Sequence, residues 1–233
     1  MAGIIALDGT EVTLRRTARA RRMTLRVARR DGSVTLTLPP GVREAEALAF
    51  LTSRRDWLRG ALATVVPPTV AAFGAALPVE GRALILTPAA VRRPVAEGAA
   101  LLLPAARPAG PAAAGFLRAL AQARLAAASD RHAAALGRGF RAIVLRDTRS
   151  RWGSCTVDGR LMYSWRLAMA PPEVLDYVAA HEVAHLAHMD HSPRFWAAVR
   201  GLCPDYETHR RWLRQNGAGL HRWQFRAGPA AGD

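Results

Sequence analysis

Residues 181–185 read His-Glu-Val-Ala-His. On an α-helix, side chains four apart share one face one turn apart, so the imidazoles of His181 and His185 can converge on one ion. Glu182 projects off that line and can address a water beside the metal rather than the metal itself. This is the arrangement that metal-assisted hydrolysis needs: the ion lowers the pKa of water and a carboxylate takes its proton. A third ligand has two nearby candidates. His188 shares the helical face, but it lies roughly 10 Å along the axis from His181 if the helix continues. His191 precedes Ser192-Pro193, a cap followed by a first-turn proline, so a turn at 188–191 would swing it back over the ion. An acid elsewhere is the remaining alternative. Three protein ligands leave one position for water, the mark of a catalytic rather than a structural zinc, with one ion per chain.

The element that must carry this pattern is a helix opened by Pro171-Pro172-Glu173, with Val174, Leu175, Val178 and Leu186 as its buried positions. Before it, a strand is expected at Ala142–Arg146. A hairpin follows, RWGSCTV and RLMYSWRLAM, turning at Asp158-Gly159. Alternation puts Leu161, Tyr163, Trp165 and Leu167 on one face of its second strand. After the motif, residues 192–203 read as a short helix packing Phe195, Trp196, Val199 and Leu202 against the first. A last helix runs from about Pro204 to Asn216, stopped by Gly217.

Further toward the N-terminus, VTLRR, MTLRVARR and SVTLTLP alternate at period two, with Asp31-Gly32 as a turn, and predict antiparallel strands. Pro39-Pro40-Gly41 ends them, and Val42–Ala63 has the apolar spacing of one helix. Residues 65–111 are rich in Pro, Ala and Gly and are expected to add antiparallel strands at 82–87 and 100–103. Pro104–Pro111 reads as a linker, and 112–136 as a long helix ended by Gly137. The expected organisation is α+β: an Arg-rich antiparallel β region with one helix over residues 1–110, and a catalytic domain over 111–233.

The chain has 233 residues, half of them hydrophobic and 22% charged, which excludes a wholly disordered chain. All 33 basic residues are Arg, against 18 acids, giving a formal charge of +15. Eight Arg and no acid fall between Val12 and Arg30. Such a balance points to an anionic partner, nucleotide or nucleic acid, through the N-terminal strands; a chain rich in Ala and Arg and devoid of Lys is also what compositional drift produces. Cys155 and Cys203 make no disulfide framework, and no stretch is apolar for long enough to enter a membrane, so a cytoplasmic protein is expected.

SRWGSC (150–155), WRL (165–167), PPEVLDY (171–177) and HEVAHLAHMDHSPRFW (181–196), with the Arg-rich strands and Arg55-Asp56-Trp57, resemble the YgjP-like metallopeptidase family, related to the SprT and WLM zinc proteases among the zincins. The resemblance implies a small zincin-like core, His181, His185 and His191 as zinc ligands, and Glu182 as base. It also implies that a strand near Trp152–Thr156 pairs with an extended peptide or protein substrate. The spacing from His185 to His191 equals that of metzincins, but His188 stands where those have Gly. A pyrophosphatase activity toward UTP is also attached to this family, and SprT relatives act at DNA. Arg151 and Arg166 are candidates for gripping an oxyanion, a carboxylate or a phosphate, each of them equally suited to a structural ion pair. Tyr206 is a candidate donor to the tetrahedral intermediate. His188 and Asp190 are candidates for holding a ligand histidine in place, and Cys155 is a weaker candidate ligand.

Overall fold

The computed structural model describes residues 2–28, 32–65 and 68–226. The chain forms two compact units, Met1–Pro68 and Thr69–Asp233. The division falls at residue 68 rather than 110, because the strands after it share a core with the long helix. Leu77, Leu86, Leu101 and Leu103 are fully buried together with Ala113, Leu117 and Ala121. A separate apolar cluster, including Val12, Leu36, Leu38 and Leu51, belongs to the first unit.

In the first unit, β1 (Ala2–Leu7), β2 (Thr10–Arg16), β3 (Thr24–Val27) and β4 (Val34–Leu38) form a sheet in the order β1-β2-β4-β3. Of the Asp31-Gly32 turn, Asp31 lies outside the described residues, and Gly32 takes a φ of 69°. Two helices, α1 (Glu44–Ser53) and α2 (Arg55–Ala63), replace the single one expected, and the break is at Arg54. Ala47, Leu51 and Leu58 are buried, whereas Trp57 is 52% exposed. Trp57 is therefore not a core residue.

The second unit holds β5 (Thr69–Val70), β6 (Ala76–Val79), β7 (Arg82–Ala89), β8 (Val95–Glu97), β9 (Ala100–Pro104), α3 (Ala109–Leu136), β10 (Ala142–Arg146), β11 (Gly153–Cys155), β12 (Arg160–Ser164), α4 (Pro172–Ala184), α5 (Pro193–Leu202), α6 (Tyr206–His221) and β13 (Trp223–Gln224). The sheet orders are β6-β7-β9-β8, β10-β12-β11 and β13-β5. The expectation of purely antiparallel sheets fails at β2/β4, β7/β9, β10/β12 and β5/β13, all parallel. In the first three cases a hairpin strand goes to the outside and the next strand returns between its two predecessors. The two four-stranded sheets share this order. They also share their first turn, in which Asp8 (φ 49°) precedes Gly9 and Glu80 (φ 47°) precedes Gly81.

The segment expected to link the halves, Pro104–Pro111, is instead the end of β9, a short turn and the start of α3. Its proline, Pro111, sits in the first turn, where its missing N–H is not needed. Gly137 closes α3 in the left-handed conformation, at φ 66°. The strand expected through Trp165–Met169 ends at Ser164, and those five residues form a 3-10 turn, all buried. With both faces buried, alternation loses its meaning there. Gly217 does not stop α6: it is buried inside the helix, where a Cβ would lie 2.8 Å from the Trp152 ring. Among the described residues, no helix is long and apolar enough to cross a membrane.

Candidate metal centre

α4 is apolar on nearly every side, the pattern of a helix enclosed by others. Val174, Tyr177, Val178, Ala179, Ala180, Val183 and Ala184 are buried, and the helix packs on α3, α5, α6 and β11. It starts with Pro172 at its first position and Glu173 in its first turn. It ends at Ala184, with His185 as its cap. That early stop lets the chain turn and bring His191 back, as a turn at 188–191 required. Ser192 caps α5, its hydroxyl accepting from the Phe195 N–H at 3.5 Å.

The ligand atoms of His181, His185 and His191 all lie within 4.8 Å of one another. The His181 and His191 Nε2 atoms are 3.2 Å apart. Phe195, fully buried, touches all three rings, with centroids 4.9, 4.4 and 4.8 Å away. His185 Nδ1 donates to the His188 carbonyl at 3.0 Å, since a carbonyl can only accept, and this leaves Nε2 with its lone pair. Burial pushes His181 down to about 3, helped by the charges of His185, His191 and Arg210. Burial likewise lowers His185, against the opposing pull of its bond to His188. Both rings are therefore neutral near pH 7, the form that binds a cation. His181 Nδ1 is buried without a hydrogen-bond partner. Two facing nitrogens at 3.2 Å share at most one proton, so a cation between the three rings fits this donor set better than hydrogen bonding does.

Glu182 is 5% exposed. Burial raises its carboxyl to about 8, against the opposing charge of Arg151. Its side chain lies against Gly153 of β11, where a Cβ would come 2.5 Å from Oε1 and 2.6 Å from Cγ. Among the described residues β11 pairs with β12 alone, which makes it an edge strand, and its Gly153, Ser154 and Cys155 line the cleft with this carboxylate. The cleft, about 240 Å³, is lined by Gly153, Ser154, Cys155, His181, Glu182, His185, Met189 and His191.

Of the third-ligand candidates, His191 joins the cluster, while His188 contributes its carbonyl and not its ring. Asp190 Oδ1 accepts from the Ser192 N–H at 3.2 Å and holds the turn rather than a histidine ring. Arg151 is exposed, with its charge felt at Glu182. Arg166 is not at the cleft. It bonds Asp147 through Nε (2.6 Å) and Nη2 (3.2 Å), and the carbonyls of Leu220 and Trp223 through Nη1. Each of its three nitrogens is thus bonded within the fold. Tyr206 donates to Glu207 Oε1 at 3.1 Å and stacks on Trp196, off the cleft. Cys155 lines the cleft, and burial first, then Glu182 and Asp158, raise its thiol to about 11, far from a ready thiolate ligand. Sequence reasoning missed Gly153 and Met189. The signal for Gly153 was a glycine inside a short strand, which marks a close approach.

A cluster of three imidazoles with a buried carboxylate against an edge strand defines a site of the metallopeptidase kind. The chain belongs to the YgjP-like family: the model of the YgjP-like metallopeptidase domain matches residues 21–216. Among solved structures, a match is the crystal structure of the metallopeptidase zymogen of Pyrococcus abyssi abylysin. It is 18% identical, covering 39% of this chain and 93% of that one, with a TM-score of 0.36. A comparison with curated proteins gave no match.

Proposed function

We propose that the protein is a zinc-dependent peptidase in which His181, His185 and His191 hold the ion and Glu182 is the general base. The observation that carries this reading is the convergence of the three ligand nitrogens within 4.8 Å beside a buried glutamate. A zinc ion there supplies Lewis acidity, which acidifies water and polarises a peptide carbonyl. Glu182 takes the proton of the attacking water and returns it to the departing amine nitrogen. A carboxyl whose proton affinity burial brings near neutrality is suited to both tasks. Arg151 biases Glu182 toward the ionised form that must act first. The His185–His188 bond fixes the ring so that Nε2 faces the ion. β11 is an edge strand whose residues line the cleft, and an extended peptide adding to it would bring a carbonyl to Glu182 with the register set by backbone hydrogen bonds. This is the arrangement the zincin resemblance implies.

The test pairs zinc content with hydrolysis of casein and of UTP, in the wild type and Glu182→Gln. The expected result is about one zinc per chain in both proteins, and casein cleavage that falls by on the order of 10²–10⁴ in the variant. Unchanged casein cleavage in Glu182→Gln would remove the mechanism. UTP turnover lost in the variant, with casein untouched by either protein, would replace the peptide substrate by a nucleotide.

A further inference from the structure

The sheet of the first unit buries one face against α1 and α2 and leaves the other open. The register places Thr13, Thr35 and Arg26 in one cross-strand row, and Arg15, Thr37 and Thr24 in the next. Thr13, Arg15, Thr24 and Arg26 are exposed. This face has hydroxyls and guanidiniums, with Ile4 beside Thr13 as its large apolar side chain. Where β2 ends and β3 begins, the connecting loop adds exposed Arg19, Arg21 and Arg22.

One carboxylate, Glu11, shares this face, exposed two residues before Thr13 on β2; the carboxylates held in ion pairs are elsewhere. Asp8 pairs with Arg55 (3.0 Å) and Arg59 (3.8 Å), Glu46 with Arg43 (2.8 Å), and Asp56 with Arg59 (3.7 Å). Among the described residues, no carboxylate pairs with Arg15, Arg19, Arg21, Arg22 or Arg26. Five guanidiniums with no carboxylate partner are thus gathered on one face and one end of the sheet, where Glu11 is the one carboxylate at the described strand positions. Arg15 and Arg26 are two strand spacings and two residues apart, about 12 Å. That is the axial span of roughly three phosphates in one nucleic-acid strand.

We propose that this face and the 17–23 loop bind the phosphodiester backbone of a nucleic acid. Guanidiniums fork onto phosphate oxygens and threonine hydroxyls donate to them. The described outer-face positions carry no aromatic ring to stack on a base, so recognition is of backbone rather than sequence.

The full-length protein is titrated by fluorescence anisotropy against labelled single-stranded RNA, single-stranded DNA and duplex DNA across a salt series. The variant Arg21→Gln/Arg22→Gln/Arg26→Gln is compared with Arg82→Gln/Arg92→Gln/Arg93→Gln, which removes the same charge from exposed positions of the second unit. The first triple should flatten the log K against log salt slope by about 2 to 3. It should weaken binding at least tenfold, irrespective of base sequence, while the second triple leaves most of both. The three arms show which strand form the face prefers. Equal losses in the two triples, or no salt-dependent binding by the wild type, would overturn the proposal. Binding to phosphatidylserine-rich vesicles with none to any nucleic acid would overturn it too. Circular dichroism confirms that each variant is folded before it is counted.

Discussion

Gly153 is the point at which the sheet and the proposed base meet, and Gly153→Ala isolates that contact. The backbone there has no positive φ, so alanine adopts it without strain. By restricting the unfolded chain, the methyl contributes about 0.4–1 kcal/mol of stability. The same methyl lies 2.5 Å from Glu182 Oε1, 2.6 Å from Cγ and 2.7 Å from Cδ. Carbon contacts are comfortable at about 3.5–4.0 Å, so the carboxylate or the strand must give by about 1 Å. The flexible glutamate moves more readily than a strand held to β12 at three residue pairs. Displacing a reacting group by that distance costs on the order of a hundredfold in rate, or about 2.7 kcal/mol of barrier. The expected result is a kcat/KM on casein down about a hundredfold, with zinc content at the wild-type level and a melting temperature within a few degrees of it. The three histidines are not touched, so loss of zinc would mean that the sheet has moved instead. Peptide turnover within a few-fold of wild type in the folded, zinc-loaded variant would refute the placement of Glu182 as base.

His191→Ala should abolish stoichiometric zinc binding while His188→Ala retains it, since His188 acts through its carbonyl; metal analysis after gel filtration distinguishes them. Arg166→Met leaves two main-chain carbonyls and a half-exposed carboxylate without their partner and should cost about 3 kcal/mol, read by urea denaturation, with zinc still bound to the folded fraction. Burial pushes the Asp147 carboxyl up, but the bonds and charge of Arg166 outweigh it and hold it below the usual 3.8. A carboxyl held low in the folded state stabilises above its unfolded pKa and loses that contribution as pH falls through the folded value. Thermal melts should therefore show Asp147→Asn less stable than wild type at pH 6, with the gap closing below about pH 4. Parallel curves would sink this account.

The helix at 172–184 and the cap at Ser192 were legible because proline, acid and serine positions act within a few residues of themselves. The Asp158-Gly159 turn was legible for the same reason, and Gly159 has the expected positive φ of 77°. The choice of His191 over His188 turned on where α4 stops, which local pattern alone left open. Strand order was not legible. A parallel pair with a short strand thrown outside it has the same alternation as a run of hairpins, and the difference lies in which distant strand supplies the hydrogen bonds. Arg166 shows the limit for site residues. Its sequence context suited a substrate grip, but Asp147 and the carbonyls of Leu220 and Trp223, far apart in sequence, engage all three of its nitrogens. Gly217 reads as a helix end until Trp152 is placed on it from another element.

The returning middle strand has a consequence for the order in which the protein is made. β12 is the partner of both β10 and β11, which do not pair with each other. On the ribosome, both emerge before the strand that joins them, and α4 with its histidines follows later still. A nascent chain ending before Arg160 has neither ladder, and one ending before His191 has a strand edge but an incomplete set of nitrogens. The strand wall of the cleft is thus complete before the histidine wall, in the order in which the two are made.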